Sequence, residues 1–308
     1  MKIFLLGHGK RPGVREMVKK LHGEIREIAE IVVEDLTGKK DLSTHDADIA
    51  LVFGGDGSIL RAVRQMGFRQ IPVMAVNLGR LGFMADVPPE NLLPFLRNLK
   101  EQIAAQGADW KRLSRKDGLR AAKNAPAFTI SEHLLLCGTV KPAGGGPESS
   151  RVAISLNEVA VLNGTPHSIL EIRLFADDEL VTTYSCDGLI LSTPVGSTAH
   201  SLSAGGPILC QALNAVVISP ISPHTLTHRP VVDSAKKVYR LELAGPRRQH
   251  ASVVVDGSVL CPLNEGDVLE VRESETSFLK INVPEYSYYS TLRKKLGWGG
   301  QMKQGLRD

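Results

Sequence analysis

The sequence predicts an α/β N-terminal domain, a parallel sheet with flanking helices, followed by a larger β-rich C-terminal domain. Three observations predict it. Over the first hundred residues, short apolar runs alternate with amphipathic stretches at helical spacing, as in a parallel sheet covered on both faces. Near Ala108 the texture changes to short strands and turns, which continue to about Pro284. The length of 308 residues suits about two domains at roughly 100–200 residues each. The expected boundaries are 1–107 for the α/β domain, 108–285 for the β-rich domain and 286–308 for a closing helix and tail.

Each element has its own reason. Ile3–Leu6 is a short apolar strand. Pro12 opens a helix with Val14, Met17, Val18, Leu21, Ile25 and Ile28 at helical spacing. Ile31-Val32-Val33 is the next strand, and Thr37–Asp46 a polar loop. Asp48–Phe53 and Ile71–Val76 read as buried strands. Pro88-Pro89 starts a helix through about Ala105, carrying Leu92, Leu93, Leu96 and Leu99. In the second half, Ile169–Phe175 and Leu180–Tyr184 flank the turn Ala176-Asp177-Asp178-Glu179. Ser252–Val255 and Val259–Cys261 flank Asp256-Gly257-Ser258, a hairpin with an Asp-Gly turn. Ile154–Leu162 reads as one apolar strand with Asn157-Glu158 inside it. Thr139–Ser150 reads as a flexible surface loop. Tyr288–Trp298 reads as a final helix stopped by Gly299-Gly300, with a frayed tail after Gln301.

Composition excludes several classes. Hydrophobic residues make up 43% and charged residues 23%, ample apolar material for a core and too much for a disordered chain. The net charge of +4 allows an anionic small molecule and does not call for a nucleic-acid partner. No apolar run approaches the ~18 residues of a transmembrane helix, so no membrane partner is expected. The apolar stretch in Met1–Gly7 is too short for a signal peptide. Cys137, Cys186, Cys210 and Cys261 form no CxxC pair, which reads as four reduced thiols in a cytoplasmic protein.

Chemistry concentrates in three places. Gly54-Gly55-Asp56-Gly57-Ser58 follows a buried strand directly and precedes a helical stretch. It therefore sits where open α/β sheets bind ligands, at the carboxyl end of a strand and the N-terminus of a helix. The glycines let a phosphate approach the backbone. Asp56 would repel that phosphate, so its carboxylate makes sense as an acceptor for an attacking hydroxyl's proton or as an organiser of a metal. Asn77–Met84 (NLGRLGFM) follows the next strand and reaches the same end of the sheet. Asp187–Pro207 (DGLILSTPVGSTAHSLSAGGP) is rich in small hydroxyl residues, as a nucleotide-binding wall should be. Upstream, Asn157-Glu158 is a polar pair in an apolar run and needs a partner.

Other signals are weaker. Gly7-His8-Gly9-Lys10-Arg11-Pro12 begins like a dinucleotide fingerprint but has Pro12 where the third glycine belongs, so it reads as a turn into a helix. No GxxxxGK[ST] occurs. His224 and His228 are four apart but lack a third ligand nearby, so no metal ligand is assigned in the chain.

Taken in order, GGDGS, NLGRLGF, NE, DGLILSTPVGSTAHSLSAGGPI, SPHTLTHRP and LRKKLGW resemble the NAD kinase family over about Lys2–Trp298. GGDG alone also occurs in lipid kinases of the diacylglycerol type; the long DGL…GGP segment is the specific one. The resemblance implies a C-terminal helix that packs back on the N-terminal domain, and an active site between the domains. It implies transfer of the γ-phosphoryl of ATP to the 2′-hydroxyl of the adenosine ribose of NAD, with a divalent metal, usually Mg²⁺. It implies a homodimer or homotetramer. Asp56 is then the base or hydroxyl-orienting residue, and Gly55, Gly57 and Ser58 line the phosphates. Asn157, Glu158 and Asp187 bind NAD, while Thr198, Ala199, His200, Ser201, Leu202 and Ser203 line the nucleotide pocket. Ser58, Val195, His200 and Ser258 depart from the family's more usual Thr, Thr, Tyr and Gln; the reaction class is unaffected, and the choice between NAD and NADH stays open. A non-catalytic NAD(P)-binding sensor is the alternative outside the enzymes, and the carboxylate of Asp56 argues against it.

Overall fold

The computed structural model describes residues 1–79, 82–107, 129–164, 169–225, 227–245, 250–282 and 288–297. In chain order the elements are β1 (Lys2–Gly7), α1 (Val14–Ile28), β2 (Glu30–Asp35), β3 (Ile49–Gly54), α2 (Asp56–Met66), β4 (Val73–Asn77), α3 (Leu92–Gln106) and β5 (Thr129–His133). Then follow β6 (Leu136–Lys141), β7 (Arg151–Ser155), β8 (Glu158–Asn163), β9 (Leu170–Ala176), β10 (Glu179–Cys186), β11 (Gly188–Ser192) and the short helix α4 (His200–Ser203). The chain continues with β12 (Ala215–Ile221), β13 (Val231–Ser234), β14 (Tyr239–Ala244), β15 (Ala251–Val255), β16 (Ser258–Leu263), β17 (Val268–Glu273), β18 (Phe278–Asn282) and α5 (Tyr288–Leu296). Arg80, Leu81, the composition change near Ala108, Trp298, Gly299-Gly300 and the tail lie outside the described residues.

Two compact units result. One comprises Met1–Met66, Ile71–Ser131 and Leu279–Asp308; the other comprises Gly67–Gln70 and Glu132–Phe278. The first is the α/β unit. Its sheet runs β2-β1-β3-β4-β18-β5, with parallel pairing from β2 through β18. Residues alternate across this sheet. Ile3 and Leu5 of β1, with Ile49, Leu51 and Phe53 of β3, join the apolar stripes of α1 and α3 in one core. On β3, Ala50 and Val52 are buried as well, and α2, with Ile59, Ala62, Val63 and Met66 buried, packs on β3 and β1. The strand order reverses between β1 and β3, so the crevice beyond their carboxyl ends is the expected ligand site of such a sheet. The loops after Gly7 and Gly54 open there.

The second unit is a β-sandwich. One sheet runs β10-β9-β14-β17-β6-β7 and the other β13-β12-β11-β8-β15-β16. Their inner faces share one core, to which β9 contributes Leu170, Ile172 and Leu174, β8 contributes Val159 and Val161, and β11 contributes Leu189 and Leu191. The β9–β10 turn holds Asp177 at φ 48 and Asp178 at φ 68, the left-handed pair of a tight hairpin.

Two expectations are corrected. Ile154–Leu162 is not one strand: β7 ends at Ser155, β8 begins at Glu158, and the two belong to different sheets. Thr139–Ser150 is not all loop, because Thr139–Lys141 complete β6 with Val140 in the core, and Pro147–Ser149 form a 3-10 turn. Among the described residues no helix is long and apolar enough to cross a membrane.

Candidate active site

In the α/β unit, β3 delivers the glycine loop to the crevice. Gly54 has φ 140, and a side chain there would collide with the Ser58 hydroxyl, which is buried under it without a hydrogen-bond partner. Gly55 and Gly57 are partly exposed. Against them lies the Arg11 guanidinium, 3.6 Å and 3.5 Å from where their Cβ atoms would stand. Arg11 comes from the loop after β1, whose sequence reads as a plain turn into a helix. The sheet order makes it a neighbour, since β1 and β3 are adjacent and parallel. His8 in the same loop is held below its ordinary pKa by burial and then by the charges of Arg61, Arg11 and Lys10. The crevice is thus cationic.

Asp56 opens α2, and its carboxylate is held by three backbone amides. Oδ2 accepts the backbone N–H of Phe83 at 2.9 Å, and Oδ1 accepts those of Met84 at 3.0 Å and Ala85 at 3.3 Å. These amides follow β4, the strand next to β3. A side chain at Gly82 would run into the Asp56 carboxylate, so that close approach needs glycine. Lys295 of α5 completes the surround, with Nζ 3.8 Å from Asp56 Oδ2 and 4.3 Å from the Phe83 ring centroid. The adjoining Asp86 is paired with Lys280 of β18, whose Nζ also donates to Asn282 Oδ1 at 2.9 Å. Burial pushes the Asp86 carboxyl up, against the pull of Lys280. Asp56 is therefore rigidly aimed, with a partly exposed side chain, beside cationic groups that suit anionic phosphates.

In the sandwich, Asn157 and Glu158 sit at the break between β7 and β8. Ser192, the last residue of β11, and Thr193 after it hold this break from one side. Thr193 donates its hydroxyl to the Leu156 carbonyl at 2.6 Å and its N–H to the Asn157 carbonyl at 2.8 Å. Gly196 lies so close to the Asn157 backbone that any side chain would overlap it. Glu158 is buried, faces the N–H of His200, and leaves Oε2 without a partner. Its carboxyl is pushed up to about 7, chiefly by burial and then by the charge of Asp256, against the opposing His200 amide.

The structure sorts the wall residues. Ser201 is fully buried and its hydroxyl is shared with that of Ser219 at 2.9 Å, so it serves the fold. Ser197, also buried, bridges the Pro194 carbonyl and the Leu209 N–H. Thr198, Ala199 and Leu202 are partly exposed, and His200 and Ser203 exposed, so the surface on offer is this rim of α4. Asp187 does not join them. Ser192 pairs with Glu158 at one end of β11, while Asp187 stands exposed beyond Gly188 at the other. Asp187 and Ser192 are five positions apart along the strand, roughly 17 Å. His228 packs its ring on Tyr184 with centroids 4.8 Å apart, and no cluster of three His, Cys, Asp or Glu occurs among the described residues.

Comparison with known proteins fits this arrangement. Residues 14–103 match the ATP-NAD kinase N-terminal domain and residues 156–283 the ATP-NAD kinase C-terminal domain. An NAD kinase of Rhodopirellula baltica is 43% identical over 302 residues, covering 98% of this chain and 88% of that protein. An NAD kinase of Colwellia psychrerythraea is 33% identical, covering 97% of each. Among solved structures, yeast NADH kinase complexed with NADH superposes with a TM-score of 0.80 at 21% identity, over 99% of this chain and 90% of that one. An Archaeoglobus fulgidus NAD kinase in complex with ATP gives 0.68 at 22%, over 97% and 100%. These two speak to the fold. With both domains matched in order and a relative 43% identical along nearly the whole length, the chain belongs to the NAD kinase family.

Proposed function

We propose that the chain transfers the γ-phosphoryl group of ATP to the 2′-hydroxyl of the adenosine ribose of NAD, giving NADP. The observation that carries this is the Asp56 carboxylate, fixed by three backbone amides at the mouth of a glycine loop and set beside Arg11 and Lys295. Phosphoryl transfer with a loose transition state asks for positioning and charge neutralisation more than for a strong base. Asp56 orients the attacking hydroxyl and accepts its proton late. Gly55 and Gly57 admit the phosphates to the backbone, with Arg11 over them. Ser58 contributes through its small size, its hydroxyl being directed under Gly54. Asn157 and Glu158 hold hydroxyl and amide groups of the dinucleotide, and Thr198, Ala199, His200, Leu202 and Ser203 form its rim.

A divalent cation such as Mg²⁺ fits as a passenger on the ATP phosphates, where it neutralises charge. The carboxylates nearby support that reading, because Asp56 is engaged by amides and Asp86 by Lys280. Free thiols at Cys137, Cys186, Cys210 and Cys261 support a reducing, cytoplasmic setting. The edge strand β13, with Val231 and Val232 exposed, supports a homodimer or homotetramer.

The test is direct. Purified protein is incubated with NAD, ATP and Mg²⁺, and NADP is read with an NADP-specific dehydrogenase; inorganic polyphosphate replaces ATP in a second arm. NADP from the ATP arm is the expected result. NAD binding without NADP from either donor would mean a sensor.

A further inference from the structure

We infer that Asp256, in the turn between β15 and β16, is a positioning residue for the dinucleotide site. It clamps the backbone that presents Asn157 and Glu158, and it makes dinucleotide affinity depend on pH through Glu158. This rests on the assignment of Asn157 and Glu158 to the dinucleotide made above.

The clamp is visible bond by bond. Asp256 Oδ1 accepts the Ser155 hydroxyl at 2.6 Å, the Asn157 N–H at 2.8 Å and the Glu158 N–H at 3.1 Å. Oδ2 accepts the Leu156 N–H at 2.9 Å, and the Asp256 N–H returns a bond to the Glu158 carbonyl at 3.0 Å. Three consecutive amides converge on one carboxylate. They cannot at the same time extend a ladder, which is why the chain leaves one sheet at Ser155 and enters the other at Glu158. Asp256 reaches them because its own φ is 46, with Gly257 following at φ 71. Asparagine or aspartate tolerates that conformation, but only aspartate offers acceptors to four donors at once.

The electrostatic half follows from the same geometry. Asp256 has four donors, whereas Glu158 has the His200 amide and an orphaned Oε2. Burial pushes both neighbouring carboxyls up; four donors oppose that rise at Asp256 and one amide opposes it at Glu158, so Glu158 is the one that takes up the proton first as pH falls. The groups that bear on Glu158 are Asp256 from the β15–β16 turn and the N–H of His200 from α4; its cross-strand partner Ser192 is uncharged. A ribose hydroxyl donates more strongly to a carboxylate than it accepts from a carboxylic acid, so it favours ionised Glu158. The KM for NAD should then rise about tenfold from pH 8 to pH 6, because the fraction of competent sites falls by that factor for a group titrating near 7.

The experiment measures KM for NAD and for ATP, with kcat, from pH 5.5 to 8.5 in the wild type, Asp256→Asn, Ser155→Ala and Glu158→Gln, with folding checked by circular dichroism. Asp256→Asn is expected to raise KM for NAD at least tenfold at pH 8, to leave KM for ATP within twofold, and to move the pH midpoint for NAD downward. A purely structural role would not move that midpoint. A folded Asp256→Asn with unchanged KM for NAD, with both KM values raised together, or with the midpoint unmoved overturns the proposal. If Asp256→Asn does not fold, Ser155→Ala decides: a threefold or larger rise in KM for NAD alone supports the clamp, and no rise overturns it. Glu158→Gln separates the two readings. If it leaves KM for NAD unaltered, the dinucleotide assignment itself fails; if it raises KM and removes the pH dependence, a silent Asp256→Asn condemns only the role of Asp256.

Discussion

Asp56 and Gly82 form one working unit although 26 positions separate them in the chain. The glycine lets the loop after β4 close on the carboxylate, and the carboxylate orders that loop through three amides. Gly82→Ala should therefore displace the Asp56 carboxylate without unfolding the protein. The expected outcome is a fall in kcat of at least tenfold, with an unaltered circular dichroism spectrum. The candidate residue Asp56 was legible from its place after a buried strand. Its amide partners were not, because backbone donors leave no mark in residue identity. Arg11 was missed for a related reason: Pro12 disqualified the loop as a dinucleotide fingerprint, and only adjacency of β1 and β3 shows what the arginine faces. The position of Asp187 was likewise hidden, since a strand of five residues carries its two ends far apart.

Among the elements, β1 to β4 with α1 and α3 were legible because their strands are short apolar runs and their helices periodic, whereas β5 and β18, which complete the same sheet from far along the chain, were not. The hairpins were legible from Asp-Asp and Asp-Gly turns. The break between β7 and β8 was not. Its cause is the Asp256 carboxylate, 99 residues from Asn157, and local hydrophobicity runs straight through the break. The strand β18 shows what a long-range pair does for an element. Lys280 is buried, and its partner Asp86 belongs to the stretch that also supplies amides to Asp56. Breaking such a pair leaves a buried charge and costs about 3–5 kcal/mol, while an apolar replacement of both partners is often neutral. Lys280→Met should thus lower unfolding free energy by about 3 kcal/mol, and Lys280→Met with Asp86→Leu should recover most of it. Urea unfolding of the two variants checks this.

At the scale of the whole molecule, Asp35 and Glu158 contribute to pH stability with opposite signs. Asp35 in the α/β unit accepts the Thr37 hydroxyl, the N–H groups of Thr37, Gly38, Lys39 and Lys40, and the Gln65 side chain. Those donors hold its carboxyl well below the ordinary range despite its burial. Its contribution is complete above the ordinary aspartate pKa and is lost as pH falls below it. Glu158 in the sandwich has the reverse sign. Its folded-state value of about 7 exceeds the usual 4.5, so the native state binds the extra proton between those values and stability falls as pH rises through them. The loss is about 3 kcal/mol once pH passes the folded value. Thermal unfolding from pH 5 to 8 should show the sandwich transition falling in the wild type. In Glu158→Gln that slope should vanish, with higher stability at pH 8.

Asp56 is the residue proposed to orient the ribose hydroxyl. The measurement that tests this most directly is NADP production by Asp56→Asn beside the wild type, with NAD and ATP affinities taken by calorimetry on the same preparations. An asparagine cannot accept the proton and presents one acceptor in place of two. The expected result is a kcat reduced by about a thousandfold or more, the scale of a lost transition-state interaction of roughly 4 kcal/mol, with both affinities within threefold of wild type. Full NADP production by the variant would contradict it.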